Sequence, residues 1–588
     1  MHINLRSFMD TLRKENQLIE IDAEVDPYLE LAEIHRRVIE EEGPALLFKR
    51  VKGSPFPVVT NLFGTRRRVD LAVGPKPEEI VKRAVQALNQ LMPPKAKTLW
   101  KEKDWLLALA KIGLKQVQPS QAPVLQVQEK EVNLHTLPVL TSWPEDGGPF
   151  VTLPLVYTEH PLTHEHNLGM YRIQIHSAKQ TGIHWQIQKG GGFHYYEAEQ
   201  LGQDFPTTLF LGGPPALMLS AIAPLPEMLP ELLLTSFLMS GKLTQVQASN
   251  HPHPLIAEAE FAFCGTVPAH LRKPEGPFGD HYGYYSLKHD FPVFNIHTMY
   301  RRKDAVYPAT IVGKPRQEDY FIGEYFQDLL SPMYPLVMPG VKTLWDYAET
   351  GFHSLAAAVV RESYHREALG HAFRILGEGQ LTLTKFLILT DKSIDLQNFP
   401  LLLETVLKRF EPEGDLIIIH ETSMDTLDYT GRRLNHGSKA IMLGIGEPKR
   451  ELPATFNGEL PKGATLAQAF CPGCLMLSGP GFSENLNWAD EILKQESPEN
   501  INSWPLIILL DDLKLAAKTS GFLWQVFTRF DPAHDIYAKT EIRHHRLIYH
   551  GPIVIDARMK PDYPGEVIPA QETVDLVNRR WKEYNIKI

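Results

Sequence analysis

The chain has 588 residues, of which 43% are hydrophobic and 22% charged, and its formal net charge is -10 at pH 7. This composition is typical of globular proteins, but the length exceeds what one compact core supports, so roughly three or four domains are expected. An excess of acidic residues without a basic block argues against nucleic acid as a partner. No apolar run reaches the about 18 residues of a membrane span, and the N-terminus has no apolar leader, so we expect a cytoplasmic protein without a transmembrane segment.

Residues 1–120 are predicted to form an N-terminal α/β module. Asp26 and Pro27 have the residue types of a helix N-cap and first turn. The apolar residues that follow recur at helical spacing and predict an amphipathic helix; they are Leu31, Ile34, Val38 and Ile39. The segment LMPPKAKTLWKEKDW, residues 91–105, has the composition of a charged linker.

Residues 121–320 change in character. Short runs rich in β-branched and aromatic residues alternate with Gly and Pro, as in PLVYT, YRIQIHS and EAEFAFCG. This pattern predicts a β-rich barrel or sandwich. In residues 321–464, apolar runs such as FLIL and DLIIIHE alternate with helical patterns, which predicts an α/β domain with buried strands.

The C-terminal third contains an internal repeat. Residues 385–412 and 505–532 align without a gap at an offset of 120. Matched pairs are Asp391 with Asp511, Arg409 with Arg529, Phe410 with Phe530 and Pro412 with Pro532. We therefore predict two similar strand-helix units, the second within an additional α/β extension over residues 465–588; chance similarity between buried units is the alternative.

Three cysteines occur in the chain: Cys264, Cys471 and Cys474. This number is too small for a disulfide framework and fits a reducing compartment. Cys471 and Cys474 form a CPGC pair, but zinc normally takes a second such pair, which the sequence lacks. We favour a structural role over a redox or metal role for these residues.

The stretch PEGPFGDHYGYY, residues 274–285, places Glu275 and Asp280 in a turn rich in Gly, Pro and aromatic residues. Both carboxylates could reach one cleft, where a neighbouring cation would keep one ionised while burial keeps the other protonated near neutral pH. One acid would then hold charge and the other would deliver a proton. The alternative is a solvated acidic turn.

A cation for these acids could come from the segment that begins at residue 166. Its pattern predicts a strand in which Met170 and Arg172 share a face. A buried arginine needs an anion, which Glu275, Asp280 or a substrate carboxylate would supply. The run from Lys189 to residue 192 is either an anion-binding nest or a flexible turn.

Taken together, four motifs resemble the UbiD family of reversible, non-oxidative decarboxylases, which use prenylated FMN and a divalent metal. They are NLGMYR, GIHWQIQKGG, PLPEMLPE and EGPFGDHYGYY, and they occur in order between GTRRRVDLAVG and LTKFLIL. The resemblance implies a multidomain α+β and α/β fold, with a split β-barrel flavin-binding domain over residues 121–320. It also implies that residues 321–464 make contacts in a homo-oligomer. The extension indicates a longer branch of the family.

The resemblance assigns Arg172, Glu275 and Asp280 to the family's catalytic network. Asp280 is then expected to donate the proton after carbon dioxide leaves, while Glu275 holds Arg172 in place. Some members carry Glu where this chain has Asp280, so the position of the proton source is expected to differ from theirs. His281 would either tune Asp280 or pack.

The resemblance also implies ligands for a metal and a flavin. Asn167, His184 and Glu231 would hold Mn²⁺ or Mg²⁺, which suit this set of nitrogen and oxygen atoms better than zinc does; the alternative for Glu231 is a structural acid at a helix start. Potassium would bind carbonyls of residues 221–223 together with Glu231. Lys385 would contact the flavin phosphate or, alternatively, be a solvated charge at a strand edge. Further expected flavin contacts are Met170, Tyr171, Arg172, His184, Trp185, Gln186, Lys189 and Gly190.

The expected activity is decarboxylation of an aromatic or conjugated acid. A polyprenyl hydroxybenzoate or hydroxynaphthoate from ubiquinone or menaquinone synthesis is the first expectation, and such a lipophilic substrate would bring the enzyme close to a membrane. A flavin prenyltransferase would supply the cofactor. The alternatives are a flavin-dependent oxidoreductase on a related barrel and a non-catalytic scaffold that binds flavin or metal.

Overall fold

The computed structural model describes residues 2–91, 111–186, 189–224, 230–249, 251–494 and 501–587. All of the predicted linker except its first residue lies outside these ranges. The chain forms two compact units, Met1–Leu329 with Gly565–Ile588 and Leu330–Pro564. In the described part of the chain, no helix combines the length and apolar character needed to cross a lipid bilayer.

The first unit begins with a small mixed sheet flanked by helices. The predicted amphipathic helix is confirmed, with its four apolar residues buried. It begins at Glu30 rather than at Pro27, because the Asp26 carboxylate accepts the nearby N–H of Tyr28 (2.9 Å) and does not cap the helix. The sheet order is β1-β2-β3-β17. Its elements are α1 Leu5–Lys14, β1 Leu18–Val25, α2 Glu30–Glu40, β2 Ala45–Val51, β3 Val58–Thr60, α3 Arg66–Val73, α4 Lys76–Leu91 and β17 Tyr307–Pro308.

A ten-stranded sheet dominates the rest of this unit within the described residues and confirms the predicted β-rich domain. Its order is β6-β9-β10-β16-β14-β11-β7-β8, and β5 and β15 also pair with β16. Side chains on both faces of β11 and β14 are largely buried, so the strands read as apolar runs. The strands are β5 Val127–Gln128, β6 Phe150–Val151, β7 Leu155–Glu159, β8 His166–Gly169, β9 Ile173–Ser177, β10 Gln180–Gly182, β11 Phe205–Leu211, β14 Phe261–Val267, β15 Arg272–Glu275 and β16 His289–Arg301.

Helices and a short sheet accompany this large sheet. The short sheet has the order β13-β12-β4. The elements are β4 Leu114–Gln116, α5 Gly190–Gln200, α6 Pro215–Ser220, α7 Glu231–Met239, β12 Leu243–Gln247, β13 Pro254–Ile256 and α8 Glu318–Leu330.

The end of the chain returns to the first unit. Helix α17, Gln571–Arg580, contacts α2. Beyond it, the hydroxyl of Tyr584 donates to a carboxylate oxygen of Glu30 (2.6 Å). The range 465–588, expected as one extension, is thus divided, and its last residues, from Gly565, complete the N-terminal core.

The second unit contains two five-stranded sheets within the described ranges, ordered β18-β19-β20-β22-β21 and β23-β24-β25-β27-β26. The two sheets have the same strand order, which confirms the predicted second strand-helix unit. The first has β18 Val341–Asp346, β19 Leu355–Val360, β20 Phe386–Thr390, β21 Leu416–Ser423 and β22 His436–Gly444, with α9 Tyr334–Val337, α10 Glu367–Ile375, α11 Phe399–Leu407 and α12 Pro412–Asp415. The second has β23 Leu466–Cys471, β24 Cys474–Ser478, β25 Leu506–Leu509, β26 Ile536–Arg543 and β27 Arg546–Asp556, with α13 Trp488–Lys494, α14 Leu513–Ala516, α15 Thr519–Arg529 and α16 Pro532–Asp535.

The three cysteines are buried free thiols. Burial raises the pKa of Cys264 to about 12 and raises that of Cys474 as well. Cys471 and Cys474 face each other across the turn between β23 and β24. Both side chains belong to the core of the second unit, as expected for a structural role.

Candidate active site

Arg172 lies at the centre of a buried ionic cluster. Its guanidinium pairs with Glu275 through two hydrogen bonds, from Nε to Oε1 (2.7 Å) and from Nη2 to Oε2 (2.9 Å). Nη1 donates to Asp280, and Nη2 also donates to the Ser286 hydroxyl (3.0 Å). The ring of Phe278 lies against the guanidinium, 4.9 Å from its carbon. The structure therefore brings together the predicted cation and both predicted acids.

These residues come from three segments of the first unit. Arg172 lies in the connection between β8 and β9, not within a strand as its sequence pattern predicts. Glu275 ends β15, and Asp280 lies in the loop that leads to β16. The exposed fraction is 0% for Glu275 and 7% for Asp280, so the alternative of a solvated acidic turn is wrong.

The electrostatics differ from the expectation that burial keeps one acid protonated. Burial alone would raise the pKa of Glu275, but the charge and hydrogen bonds of Arg172 outweigh it and hold this pKa well below its usual range. Burial likewise opposes ionisation of Asp280, yet Arg172 and then His281 lower its pKa. Both carboxylates are ionised near neutral pH because they share one buried cation.

Asp146 holds the acidic loop in place, a role that sequence reasoning missed. Its Oδ2 accepts the N–H groups of Ser142 (3.0 Å) and Trp143 (2.9 Å), and its Oδ1 accepts that of Gly279 (2.8 Å), next to Asp280. Burial raises the pKa of Asp146 to about 6. The carboxylate thereby fixes the backbone from which the proposed proton donor projects.

Gln174 and Gly147 complete this clamp. The Gln174 side chain donates to the carbonyl of Gly147 (2.8 Å) and accepts the N–H of Gly276 (3.0 Å). A Cβ at position 147 would lie 2.2 Å from the Gly276 carbonyl oxygen, so only glycine allows this approach. The sequence signal that could have revealed the clamp is the pair of glycines after Asp146.

His184 is connected to the ionic cluster through Glu275. Its Nδ1 lies 3.1 Å from Glu275 Oε2, and burial lowers its pKa, which favours the neutral ring. Since the ionised carboxylate only accepts, Nδ1 carries the proton and the lone pair is on Nε2. That Nε2 is buried and has no hydrogen-bond partner among the described residues. An imidazole oriented in this way by a carboxylate is suited to bind a metal ion.

Asn167 and Glu231 are close together in a second part of the site. Glu231 begins α7, and its Oε2 accepts the N–H of Leu168, the neighbour of Asn167 (3.2 Å). The Asn167 amide donates to the hydroxyl of Tyr171 (3.3 Å). Burial raises the pKa of Glu231, which would be offset by a bound cation. The contacts of His184 described above go to Glu275 and not to this pair.

The residue types fit a hard divalent cation, with one neutral imidazole, one carboxylate and one amide oxygen. Within the described ranges, no three His, Cys, Asp or Glu side chains are grouped to hold a metal. A metal at the predicted ligands would therefore depend on the amide of Asn167. For potassium, residues 221–223 follow α6, and residues 225–229, between them and Glu231, lie outside the described residues.

The glycine run forms the start of helix α5 and is not a flexible turn. Gly191 N–H donates to the Tyr171 hydroxyl (3.2 Å), and a Cβ at Gly190 would lie 2.2 Å from the Asn167 amide oxygen. The positive end of a helix dipole attracts phosphate, so this position fits a flavin phosphate. Trp185 lies beside Gly191 and has a buried indole N–H without a partner among the described residues.

The remaining predicted flavin contacts lie in both compact units of the chain. Met170 and Gln186 are half-buried, and Lys189 directly precedes α5. Lys385 belongs to the second unit, where its ammonium pairs with Asp428 (2.7 Å) and is almost fully buried. The alternative of a solvated strand-edge charge is therefore wrong for Lys385.

His281 follows Asp280 in the chain and contacts its carboxylate with both the backbone and the ring. The Asp280 Oδ1 accepts the backbone N–H of His281 (2.8 Å) and lies 2.9 Å from its ring Nδ1. The His281 side chain is 24% exposed, whereas the Asp280 side chain is 10% exposed. Burial raises the pKa of Asp319, and the neighbouring His281 opposes this shift. A partly exposed imidazole thus links Asp280 to solvent.

Three family models match the chain. They describe the N-terminal, Rift-related and C-terminal domains of 3-octaprenyl-4-hydroxybenzoate carboxy-lyase, over residues 9–88, 115–315 and 320–444. A Chlamydia pneumoniae protein named as a subunit of 4-hydroxybenzoate decarboxylase is 51% identical over 584 residues, which are 99% of this chain and 98% of its own. An uncharacterised Archaeoglobus fulgidus protein is 33% identical over 463 residues, or 78% of this chain and 94% of its own.

Two solved structures share the fold. Vanillic acid decarboxylase of Sedimentibacter hydroxybenzoicus, in its closed form, has a TM-score of 0.68 and 23% identity, with 78% of this chain and 95% of that chain covered. The UbiD-class enzyme HmfF of Pelotomaculum thermopropionicum, in complex with FMN, has a TM-score of 0.62 and 23% identity, with coverages of 76% and 95%.

Proposed function

Since the chain belongs to the UbiD family of carboxy-lyases, we propose that it reversibly decarboxylates an aromatic or conjugated acid with prenylated FMN as cofactor. The observation that carries this proposal is the cluster of Arg172 with Glu275 and Asp280, which can bind a carboxylate and deliver a proton. Bound prenylated flavin would supply the electron-accepting ring system, a chemistry that belongs to the cofactor. His184, Asn167 and Glu231 would hold the divalent metal, and the start of α5 the flavin phosphate.

The charges in this cluster suggest how Asp280 becomes an acid. Arg172 carries one positive charge, and its two ionised partners leave the cluster with one net negative charge. A substrate carboxylate that binds Arg172 therefore competes with Asp280, whose single contact is easier to replace than the two hydrogen bonds of Glu275. Once displaced, the buried Asp280 no longer has its cation, and burial favours its protonated form. Substrate binding is thus coupled to uptake of one proton.

The proton balance follows from this exchange. The bond between the ring carbon and the carboxylate breaks, and carbon dioxide leaves. Protonated Asp280 gives its proton to that carbon, which forms the new C–H bond, and becomes a carboxylate that returns to Arg172. Glu275 stays paired throughout, so it keeps the guanidinium oriented and the His184 ring fixed with its proton on Nδ1.

For the substrate, we favour a hydroxylated aromatic acid. The name of the Chlamydia pneumoniae relative and the description of the matching family models both refer to 4-hydroxybenzoates. Phe278 places a flat ring against Arg172, where a substrate ring could also lie. A polyprenylated hydroxybenzoate or hydroxynaphthoate from quinone synthesis is our first candidate, with a flavin prenyltransferase as cofactor supplier, a homo-oligomeric enzyme and a cytoplasmic location beside the membrane.

The decisive experiment is reconstitution of the full chain. The protein is produced with a flavin prenyltransferase and Mn²⁺, and carbon dioxide release is measured from a panel of hydroxybenzoates and hydroxynaphthoates. We expect release that requires the prenylated flavin. Release of equal rate with unmodified FMN would overturn the mechanism, and hydride-dependent turnover without release would identify an oxidoreductase.

Glu231→Gln is expected to weaken metal and flavin retention together. The variant removes a negative charge from the proposed metal site, so the metal would be bound less tightly, and a flavin phosphate held with its help would be retained less well. Metal content and flavin absorbance of the purified protein are the measurements. Glu165→Gln, at an exposed glutamate just before β8, is the matched control. Full occupancy of both groups in the Glu231 variant would remove this residue from the ligand set.

His281→Gln is expected to slow turnover by about tenfold, less than loss of direct proton transfer would. Glutamine can still donate to Asp280 but cannot pass a proton from solvent to it. The pH profile of kcat should change and a solvent isotope effect should appear, whereas KM should stay the same. His297→Gln, at an exposed histidine on β16, is the control. An unchanged pH profile would indicate that Asp280 is protonated by another route.

A further inference from the structure

The two sheets of the second unit are two copies of one fold. The first repeat comprises residues 341–444, and the second repeat comprises residues 466–556. In each, the first two strands are antiparallel, the next pairs are parallel, and the fourth strand pairs antiparallel with the fifth. The strand registers are also equal, which aligns the repeats residue by residue. Phe386 pairs with Ala440 in the first repeat, and the equivalent Leu506 pairs with Ile553 in the second.

The two repeats share one apolar core. A single buried cluster contains side chains from the central strands of both sheets and from helices α11 and α15. Phe386 of the first repeat contacts Phe527 and Phe530 of the second, with ring centroids 5.7 and 5.8 Å apart. Each repeat therefore covers the same sheet face of the other.

The contacts at the edge of this core are reciprocal. Helix α16 of the second repeat sits on β22, where Asp531 Oδ1 accepts the N–H (2.9 Å) and hydroxyl (2.8 Å) of Ser438. Helix α12 of the first repeat contacts β27, where a Cβ at Gly551 would lie 3.8 Å from Pro412. Ser438 and Gly551 occupy equivalent positions on β22 and β27 when the two repeats are aligned. Such exchange of equivalent contacts is the mark of a two-fold, isologous interface.

The second repeat keeps the turn geometry of the first repeat but lacks its two buried lysines. Both repeats close the turn before their fourth strand alike, with Asp415 accepting the N–H of residue 411 (2.9 Å) and Asp535 that of residue 531 (2.8 Å). By contrast, Lys385 corresponds to Pro505, and the buried Lys439 to Pro552. The second repeat thus retains the packing of the first but lacks these two lysines.

We propose that the second repeat takes the place of a partner subunit. Within the same chain, it covers the sheet face of the first repeat through which two single-repeat domains would pair. The family models end at residue 444, so the second repeat lies beyond the family's common domains. Because that face is already covered, it does not join separate chains, and any homo-oligomer of this protein must use other surfaces. The second repeat contributes packing rather than a second site.

Cross-linking tests this arrangement in the full chain. At the rim of the shared core, Arg543 of β26 donates to Glu413 of α12 (2.9 Å), and both side chains are exposed. A variant with Glu413→Cys and Arg543→Cys is treated with a short bismaleimide, and the product is examined by denaturing gel and by peptide mass spectrometry. The native cysteines are buried. Each single-cysteine variant is treated in parallel as a control.

We expect the two introduced cysteines to be linked within one chain, with the band staying at the 66.7 kDa of the monomer. A linked band at twice this mass, carrying the 413–543 peptide pair and absent from the single variants, would show that the repeats pair between chains and would overturn the proposal. Failure to link the two positions, in a variant whose two thiols both react with a monofunctional maleimide, would show that the repeats do not pack in this way and would also overturn it.

Discussion

Asp280→Asn is expected to lower turnover of the reconstituted enzyme by about 10²- to 10⁴-fold, the usual contribution of a general acid. Asparagine preserves the size of the side chain and can still contact Arg172, but it carries no transferable acid proton. Flavin and metal occupancy should stay near the level of the unmodified protein, since the hydrogen bonds of Asp280 go to Arg172 and His281 and not to the proposed metal ligands, and asparagine can keep the contact with Arg172.

The matched control for this prediction is Asp290→Asn, at an exposed aspartate on β16. Steady-state carbon dioxide release provides kcat and KM for both variants. Asp280→Asn should also abolish the proton uptake that accompanies substrate binding, which can be followed with a pH indicator in weak buffer. Unchanged turnover would exclude Asp280 as the proton donor, and unchanged proton uptake would exclude the exchange of carboxylates at Arg172.

Arg172→Ala is expected to destabilise the protein by about 3–5 kcal/mol, because it leaves Glu275 and Asp280 buried without their cation. The free energy of unfolding can be measured with urea. Arg543→Ala is the control, since Arg543 also makes two hydrogen bonds to a carboxylate, that of Glu541, but both side chains of this pair are exposed. That variant should change the free energy of unfolding much less.

The free energy of unfolding should also depend on pH with opposite sign in the unmodified protein and in the Arg172→Ala variant. With Arg172 present, the folded pKa values of Glu275 and Asp280 lie below their ordinary values of 4.5 and 3.8, so their contribution to stability is present above these values and is lost on acidification. Without Arg172, burial raises both pKa values, and stability falls as the pH rises above the ordinary values. Unfolding measured at about pH 5 and about pH 8 should therefore show a loss of stability at the higher pH that is specific to the Arg172 variant. Equal pH slopes in both proteins would contradict this account.

The sequence determined the residue types of the site and the order of the folding units. A buried guanidinium requires an anion, which predicts Glu275, Asp280 or a substrate carboxylate as the partner of Arg172. The family resemblance implies all three residues together, and the structure places them in contact. The alternation of apolar runs predicted the β-rich and α/β parts, and the repeat predicted the second strand-helix unit. These features depend on local periodicity and on residue chemistry, which a single sequence records directly.

The tertiary structure alone decided the protonation states and the supports of the site. Whether Asp280 is ionised depends on the balance between burial and a cation from a distant segment. The clamp by Asp146, the partner of Lys385, the return of the C-terminal residues to the first unit and the mutual covering of the two repeats all arise from contacts between segments far apart in the chain. Such contacts leave no periodic signal, because the chain positions of the partners are set by the path of the whole fold.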